Sequence, residues 1–243
     1  MKKNRHNKKS IKVVILCGGK GTRISEETKV KPKPMIKIGK DPIICHIMRI
    51  FKHYGFDDFI LAAGYKKEII SGYFKNLKEF PKVKIINTGK ESMTGGRILR
   101  LKKYLKNENY FFMTYGDGLG NIDLAKLLNF HIRHKKIGTV TAVHPPVRFG
   151  ELKIKKNRVY EFKEKPQAKA GWINGGFFVL SKEIFRYIKN DKTVFEREPL
   201  EKISKKKQFM AYKHNSFWQC MDTLRDKTLL NNLWKKNKAP WKK

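Results

Sequence analysis

The chain has 243 residues, of which 40% are hydrophobic, and it carries a formal net charge of +35. This length and composition exclude a wholly disordered chain and fit one α/β domain with a buried core. All apolar runs are short, so we expect no bilayer-spanning helix and therefore no membrane insertion. We also expect no signal peptide. Three widely spaced cysteines, Cys17, Cys45 and Cys220, match neither zinc nor disulfide spacing and indicate a reduced, cytoplasmic protein.

The positive charge comes mostly from lysine, since 45 lysines and 11 arginines are spread along the whole chain. Proteins that recognise specific nucleic acids favour clustered basic faces and the bidentate contacts of arginine. We therefore expect no specific nucleic-acid partner. A basic module that clamps a DNA or RNA backbone remains the alternative, and it predicts tight, salt-sensitive binding.

The first elements indicate a parallel sheet. Residues 1–10 are basic and without pattern, which predicts a disordered arm, and we expect residues 11–243 to form a single domain. Apolar, β-branched residues over 11–17 predict a buried strand. A helix with Asp41 as N-cap and Pro42 as its first residue then alternates with further strands and helices. This alternation favours a sheet that binds ligands at the carboxyl ends of its strands.

A glycine-rich loop follows the first strand directly. In the run Gly18-Gly19-Lys20-Gly21-Thr22-Arg23, three glycines permit a sharp turn with bare N–H groups, and the last two residues add a hydroxyl and a cation. Lys33 supplies a second cation between two prolines, which stiffen that segment. This combination favours a phosphate site, although a plain strand-to-helix turn also explains the glycines.

The middle of the chain offers a second loop and a candidate metal ligand. Small residues over 92–97 precede a helix predicted to reach 105, and they leave N–H groups open to a ligand. The strand over 110–115 ends in Gly116-Asp117-Gly118. An acid between glycines at a strand end suits Mg²⁺, although a turn aspartate is the simpler alternative. Asp123 is predicted to cap the helix over 124–134.

The second half continues with strands over 138–143, 152–154, 159–163, 177–180 and 210–214. One helix is predicted over 196–206, and a last helix is predicted to follow residue 223 and to end at about 234. Asp222 precedes the last helix, where it would act as N-cap, as a second carboxylate for Mg²⁺, or as both. Asn174 offers donor and acceptor groups that suit sugar hydroxyls.

Several motifs carry a resemblance when they are taken in order from residue 11 to the C-terminus. They are GGKGTR with KPKP, SMTGGR, YGDG, PPVRFGEL, EKP, INGGFFVL and FWQCMDTLRDK. The chain resembles the sugar-nucleotide pyrophosphorylases, a family of nucleotidyltransferases, and in particular those that transfer a cytidylyl group. The resemblance implies an α/β fold with a Rossmann-like, mixed and mainly parallel sheet flanked by helices, of the nucleotide-diphospho-sugar transferase type.

The resemblance also implies an activity. It predicts Mg²⁺-dependent transfer of a cytidylyl group from CTP to α-D-glucose 1-phosphate, giving CDP-glucose and diphosphate for deoxysugar or surface-polysaccharide (O-antigen, lipopolysaccharide) biosynthesis. A related enzyme that uses UTP or dTTP is the alternative. Members of the family carry a longer insertion where this chain has a short connection over 75–87, and we expect a homo-oligomer.

The site residues follow motif by motif from the same resemblance. Catalytic roles are implied for Arg23, Lys33, Asp117 and Lys165, and Mg²⁺ ligation for Asp117 and Asp222. Nucleotide contacts are implied for Leu16, Cys17, Gly18, Gly19, Lys20, Gly21, Thr22, Arg23, Lys33, Ser92, Thr94, Gly95, Arg97 and Gly116. Sugar-phosphate contacts are implied for Arg148, Gly150, Glu164, Lys165, Asn174, Gly175 and Glu196.

Overall fold

The computed structural model describes residues 11–145, 151–163 and 171–242. Its strands, labelled β1 to β14 in chain order, are Lys12–Cys17, Lys37–Ile38, Asp41–Pro42, Asp58–Ala63, Val83–Asn87, Tyr110–Tyr115, Gly118–Gly120, Gly138–Val143, Glu151–Lys155, Arg158–Lys163, Ile173–Asn174, Phe178–Ser181, Phe209–His214 and Trp218–Cys220. Its α-helices, α1 to α8, are Ser25–Thr28, Ile43–His53, Lys67–Lys75, Thr94–Arg100, Lys102–Leu105, Leu124–His134, Glu198–Lys205 and Leu224–Lys235. Short 3₁₀ helices cover Thr22–Ile24, Lys33–Met35 and Lys182–Tyr187.

The central sheet has eight strands in the order β11-β8-β12-β6-β1-β4-β5, with β13 also paired to β8. Neighbouring strands β6, β1, β4 and β5 are all parallel. Strand β12 runs antiparallel to both β6 and β8, while β13 runs parallel to β8. The sheet is therefore mixed and mainly parallel, which confirms the predicted fold class.

Strand β1 lies in the middle of this sheet and is buried on both faces. Val13, Ile15 and Cys17 pack into one apolar cluster, and Val14 and Leu16 pack into a second cluster on the other face. Successive strand residues point to opposite faces, so a strand covered on both sides needs an unbroken apolar run. This is the pattern that predicted the strand.

Helix starts differ from prediction in two places. The helix after Asp41 begins at Ile43, with Pro42 in an extended conformation before it, and Asp41 pairs with Arg49 instead of capping. The last helix is capped by Thr223, which forms a capping box with Asp226. The Asp222 carboxylate therefore does not cap this helix. The predicted cap at Asp123 is confirmed, since its side chain accepts a hydrogen bond from the Lys126 amide.

Within the described ranges, no helix combines the length and the apolar character that crossing a bilayer requires.

Candidate active site

A cavity of about 600 Å³ opens at the carboxyl ends of β1 and β6. The predicted residues that line it are Leu16, Cys17, Gly18, Gly19, Gly21, Thr22, Arg23, Lys33, Ser92, Thr94, Arg97, Gly116, Asp117, Asn174, Glu196 and Asp222. Five further lining residues were not predicted, namely Pro34, Met93, Tyr115, Trp218 and Cys220. The fold thus brings the glycine loop, both acids and two sugar-contact candidates to one place.

A larger cavity of about 840 Å³ lies between α3 and β5, lined by residues within 71–85. Its lining contains lysines and apolar side chains but no carboxylate. A site for transfer chemistry needs convergent polar groups with opposed charges. We therefore assign the candidate active site to the smaller cavity, which we call the strand-end pocket.

The glycine loop has the geometry of an anion site. Gly21 adopts a left-handed conformation with φ of 66°, and a Cβ there would lie 2.8 Å from Thr28 Cγ2, so glycine is needed. Within the described part of the chain, the backbone N–H groups of Gly19, Lys20 and Gly21 donate no hydrogen bond. Free N–H groups in a tight turn attract phosphate oxygens.

The second cation reaches the pocket because of a close contact between two backbone segments. Lys33 begins a 3₁₀ helix whose next residue, Pro34, packs on the carboxyl end of β6. A Cβ at Gly116 would lie only 2.7 Å from Pro34 Cγ. Glycine at 116 therefore permits the approach that places the Lys33 ammonium opposite Asp117.

Two acids are brought together by a small sheet that the sequence did not reveal. Strands β7 and β14 pair antiparallel, with Gly118 opposite Cys220, and the Met221 amide donates to the Asp117 carbonyl at 2.9 Å. This pairing aligns the residues before β7 with those after β14. Asp117 and Asp222 therefore face the same pocket although they lie about a hundred positions apart in the sequence.

Lys33 bridges these two acids. Its ammonium donates to Asp117 Oδ2 and to Asp222 Oδ1, both at 2.5 Å, and the residue is only 8% exposed. Two 2.5 Å contacts to one nitrogen place those carboxylate oxygens no more than 5 Å apart. Burial by itself lowers the pKa of Lys33, but the charges and hydrogen bonds of both carboxylates outweigh it and raise the pKa above its ordinary value.

Asp222 has a second cationic partner, because the Arg23 guanidinium also donates to its carboxylate. Burial alone raises the pKa of Asp222, but Lys33 and Arg23 more than offset this and hold the pKa below its usual range. The carboxylate is therefore ionised near neutral pH. Most of the Arg23 side chain is exposed, so the same guanidinium is accessible to an anion in the pocket.

The donor set fits Mg²⁺. No group of three or more metal-binding side chains occurs in the described residues, but Mg²⁺ in phosphate-transfer sites usually takes one or two carboxylates and completes its shell with water and substrate phosphates. Asp117 and Asp222 supply two carboxylates at suitable separation beside an anion loop. A divalent ion between them would compete with Lys33 for the same oxygens.

The segment over 92–97 is held more tightly than predicted. The amides of Gly95 and Gly96 donate to the Thr193 carbonyl, and that of Met93 donates to the Asp191 carbonyl. These N–H groups are therefore not open to a ligand, contrary to the prediction. The predicted single helix is also divided, into α4 and α5.

Arg97 is built into the wall of the pocket. It is 4% exposed, and its guanidinium donates to the carbonyl oxygens of Gly18, Gly89 and Lys90 and to the Thr88 hydroxyl. The contact with Gly18 ties this segment to the glycine loop. Arg97 therefore fixes the loop in position, whatever contact it also makes with a nucleotide.

The opposite end of the pocket carries a hydroxyl network. The Glu196 carboxylate accepts from the Tyr115 hydroxyl at 2.6 Å and from the Thr94 hydroxyl at 2.5 Å. Asn174 Nδ2 donates to the Tyr115 hydroxyl at 3.3 Å. The sequence did not identify Tyr115 as a site residue, because an aromatic residue at the end of a buried strand is typical of a hydrophobic core. Its place directly before Gly116 at a strand end was the available signal.

Three predicted residues lie beside the pocket instead of lining it. Lys20 forms an exposed ion pair with Glu91. Gly95 packs against the chain at Thr193, where a Cβ would lie 2.7 Å from the carbonyl oxygen. Gly175 accepts a hydrogen bond from the Trp218 indole at 2.8 Å and so fixes that lining residue. Arg148, Gly150, Glu164 and Lys165 lie outside the described residues.

The cysteines at the pocket are not nucleophiles in this arrangement. Burial raises the pKa of Cys17 and of Cys220 to about 12 in each case, and nearby Asp222 adds to the effect at Cys220. Only a thiolate attacks efficiently, and both thiols stay protonated near neutral pH.

Comparisons with known proteins agree with the geometry. The model of the "Nucleotidyl transferase" family matches residues 12–226. Glucose-1-phosphate cytidylyltransferase of Salmonella typhimurium is 44% identical over 254 aligned positions, which cover 96% of this chain and 99% of that protein. D-glycero-alpha-D-manno-heptose 1-phosphate guanylyltransferase of Campylobacter jejuni is 37% identical, covering 81% of this chain and 88% of the relative.

Among solved structures, HddC from Yersinia pseudotuberculosis complexed with GMP-PN superposes with a TM-score of 0.73 at 27% identity, covering 92% of this chain and 99% of that one. Sequence, fold and pocket geometry lead to one conclusion. The chain belongs to the nucleotidyl transferase family.

Proposed function

We propose that the protein transfers a cytidylyl group from CTP to α-D-glucose 1-phosphate, giving CDP-glucose and diphosphate. The observation that carries this proposal is one pocket in which an anion loop, two cations and two carboxylates converge. The cytidylyltransferase of Salmonella typhimurium, similar over nearly the full length of both chains, supports the choice of base and sugar.

The bond changes need no covalent protein intermediate. A phosphate oxygen of glucose 1-phosphate forms a bond to the α-phosphorus of CTP, and the bond from that phosphorus to the bridging oxygen of the β-phosphate breaks. Diphosphate leaves with the electron pair. Catalysis of this kind consists of positioning and charge neutralisation, and the pocket offers groups for both.

Each group has a proposed task. The N–H groups of the glycine loop and the guanidinium of Arg23 bind the departing diphosphate, and Lys33 neutralises the α-phosphate. Asp117 and Asp222 would hold Mg²⁺, which would neutralise triphosphate charge and supply Lewis-acid chemistry. By resemblance, Lys165 holds the phosphate of the incoming sugar. Losing one preorganised contact of this type costs about 3 kcal/mol in the barrier.

The pocket divides into two proposed halves. The nucleotide lies along the glycine loop, Ser92, Thr94 and Arg97, and the hexose lies toward Asn174 and Glu196. Both carboxylate oxygens of Glu196 keep an acceptor lone pair beyond their bonds to Thr94 and Tyr115. Such acceptors, next to the amide of Asn174, suit the hydroxyls of a sugar.

One assay tests the proposal. Diphosphate release is measured from the purified protein with each of CTP, UTP, dTTP, GTP and ATP, paired with several hexose 1-phosphates and with Mg²⁺ present or absent. We expect turnover only with Mg²⁺, and the highest kcat/KM with CTP and glucose 1-phosphate. A preference for UTP or dTTP would change the assigned nucleotide and leave the reaction class intact. The absence of turnover with every pair would refute the proposed enzymatic activity.

A substitution tests the metal ligands. Asp117→Ala should retain the folded state, because Asp117 lies at the surface of the pocket, and should lose at least a hundredfold in kcat. Circular dichroism and thermal melting check the fold. Substantial Mg²⁺-dependent turnover in this variant would refute the metal assignment.

A further inference from the structure

The hydroxyl of Tyr115 occupies a central place at the sugar end of the strand-end pocket. It donates to Glu196 Oε1 at 2.6 Å and accepts from Asn174 Nδ2 at 3.3 Å. One hydroxyl therefore contacts both the Glu196 carboxylate and the Asn174 amide. The ring itself is fixed by an edge contact with Phe178, with centroids 6.1 Å apart.

Each of the two side chains that Tyr115 joins also has a second hydrogen-bond partner. Asn174 Oδ1 accepts from the Gly176 amide at 2.8 Å, which sets the orientation of the amide group. Glu196 Oε2 accepts from Thr94, whose own oxygen accepts from the Phe195 amide. Among the residues that the structure describes, only the Tyr115 hydroxyl hydrogen-bonds both Glu196 and Asn174.

We propose that Tyr115 is a positioning residue for sugar specificity, whose hydroxyl fixes the Glu196 carboxylate and the Asn174 amide at one spacing that matches a particular pair of hexose hydroxyls. This inference rests on the proposed function, in which the hexose lies at this end of the pocket. A carboxylate accepts from hydroxyls and an amide N–H donates to them. A fixed spacing between the two groups discriminates between hexoses that differ in the configuration of one hydroxyl.

Specificity arises here from the cost of a mismatch. A buried acceptor that is left without its donor costs more than a formed hydrogen bond contributes, because the acceptor has lost its water. Glu196 is half-buried and Asn174 is exposed in the free pocket. A bound hexose would cover both groups, so a hexose with one inverted hydroxyl would leave one of them covered and unpaired. This penalty applies only while the two groups are held rigidly, and the Tyr115 hydroxyl contributes to that rigidity together with Thr94 and the Gly176 amide.

The test is Tyr115→Phe, which removes the hydroxyl and keeps the ring. Steady-state kinetics should show the KM for glucose 1-phosphate raised about tenfold and the KM for CTP changed less than twofold, as expected for loss of one hydrogen bond that orients a charged group. The preference for glucose 1-phosphate over galactose and mannose 1-phosphates should fall about tenfold. Tyr73→Phe is the matched control, because it removes a hydroxyl that contacts Cys45 outside the pocket.

A double-substitution cycle separates positioning from general weakening of the fold. If Tyr115 acts through Glu196, Tyr115→Phe should add almost nothing to the KM effect of Glu196→Gln. Additive effects, equal changes in both KM values, or unchanged sugar preference would each overturn the inference. Failure of the wild-type protein to use any hexose 1-phosphate would instead overturn the proposed function.

Discussion

At the scale of single residues, Lys33 is the group on which the electrostatics of the pocket depend. Its ammonium lies between Asp117 and Asp222, where the proposed function places Mg²⁺. Two carboxylates within 5 Å of each other repel unless a cation separates them. Without substrate, Lys33 supplies that cation. In the proposed complex with nucleotide and Mg²⁺, the same ammonium would be free to contact a phosphate.

Lys33→Met should therefore tighten Mg²⁺ binding to the nucleotide-free protein, because the metal no longer competes with the ammonium. We expect a gain of at least tenfold in affinity, since two unit charges at 4 Å interact by about 4 kcal/mol near a protein surface. Isothermal titration calorimetry measures the affinity. Thermal melting should also show the variant destabilised without Mg²⁺ and restored by it.

Lys31→Met is the matched control for this change. Lys31 lies two positions away and pairs only loosely with Glu27, at 3.6 Å, so its loss should leave Mg²⁺ affinity unchanged. Equal Mg²⁺ affinities in the Lys33→Met variant and the wild type would show that Lys33 does not occupy the metal position.

At the scale of elements, the pocket depends on the approach of the 3₁₀ helix Lys33–Met35 to the end of β6. Gly116→Ala should push these elements apart, because the new Cβ would lie 2.7 Å from Pro34 Cγ and 3.2 Å from the Leu16 carbonyl oxygen. We expect a loss of about 1–3 kcal/mol in unfolding free energy, as for other overpacked sites. A fall in kcat of at least tenfold should accompany it, since Lys33 moves.

Gly72→Ala provides the comparison for Gly116→Ala. Gly72 lies in α3, where a Cβ would have nothing within 4 Å. Alanine favours helix over glycine by up to about 1 kcal/mol, so this variant should be as stable as the wild type or more stable, with unchanged kcat. Denaturant unfolding and steady-state kinetics measure both. Wild-type kcat in Gly116→Ala would contradict the proposed packing dependence.

The contact between α6 and β8 contains a pH-dependent element. His131, which is 3% exposed, and His134 both hydrogen-bond the Thr139 hydroxyl, at 2.8 and 2.6 Å, and Tyr110 packs against His131. Burial, then the neighbouring His134, lowers the pKa of His131 to about 4. The neutral imidazole is therefore the form that fits the fold.

The sign of the pH effect follows from this lowered pKa. Below about pH 6.5 the unfolded chain takes up a proton at His131 and the folded protein does not, so stability falls until about pH 4. The contribution is on the order of 3 kcal/mol, and His134, whose pKa is also lowered, acts in the same direction. Denaturant unfolding between pH 4.5 and 7.5 should show a shallower decline in His131→Asn than in the wild type. Parallel declines would contradict this assignment.

At the scale of the whole molecule, the sequence predicted most elements because their cause is local. Apolar runs over 110–115 and 138–143 gave strands with those bounds. The sequence could not predict the features that depend on contacts between residues far apart in the chain. The pairing of Gly118 with Cys220 and the hydrogen bond from Tyr115 to Glu196 leave no mark in local pattern. The resemblance supplied Asp222 as a partner of Asp117, whereas local rules favoured a helix cap.

The net charge of +35 is also a property of the whole molecule, and it bears on how fast an anionic substrate arrives. Ion pairs within the pocket leave Lys33 and Arg23 close to carboxylates, so the field that attracts a triphosphate comes mainly from the many surface lysines. Such steering raises association rates and is screened by salt, since the Debye length falls from about 30 Å at 0.01 M to about 8 Å at 0.15 M.

Raising the NaCl concentration from 10 to 150 mM should therefore lower kcat/KM for CTP severalfold and leave kcat within twofold, because the bound complex is shielded from solvent ions while the encounter is not. Steady-state kinetics at fixed free Mg²⁺ measures both, and sodium acetate in place of chloride controls for anion competition. An equal fall in kcat would show that salt disrupts the bound site. Tight binding of duplex DNA that persists at 150 mM salt and blocks CTP would instead favour a nucleic-acid role for the charge.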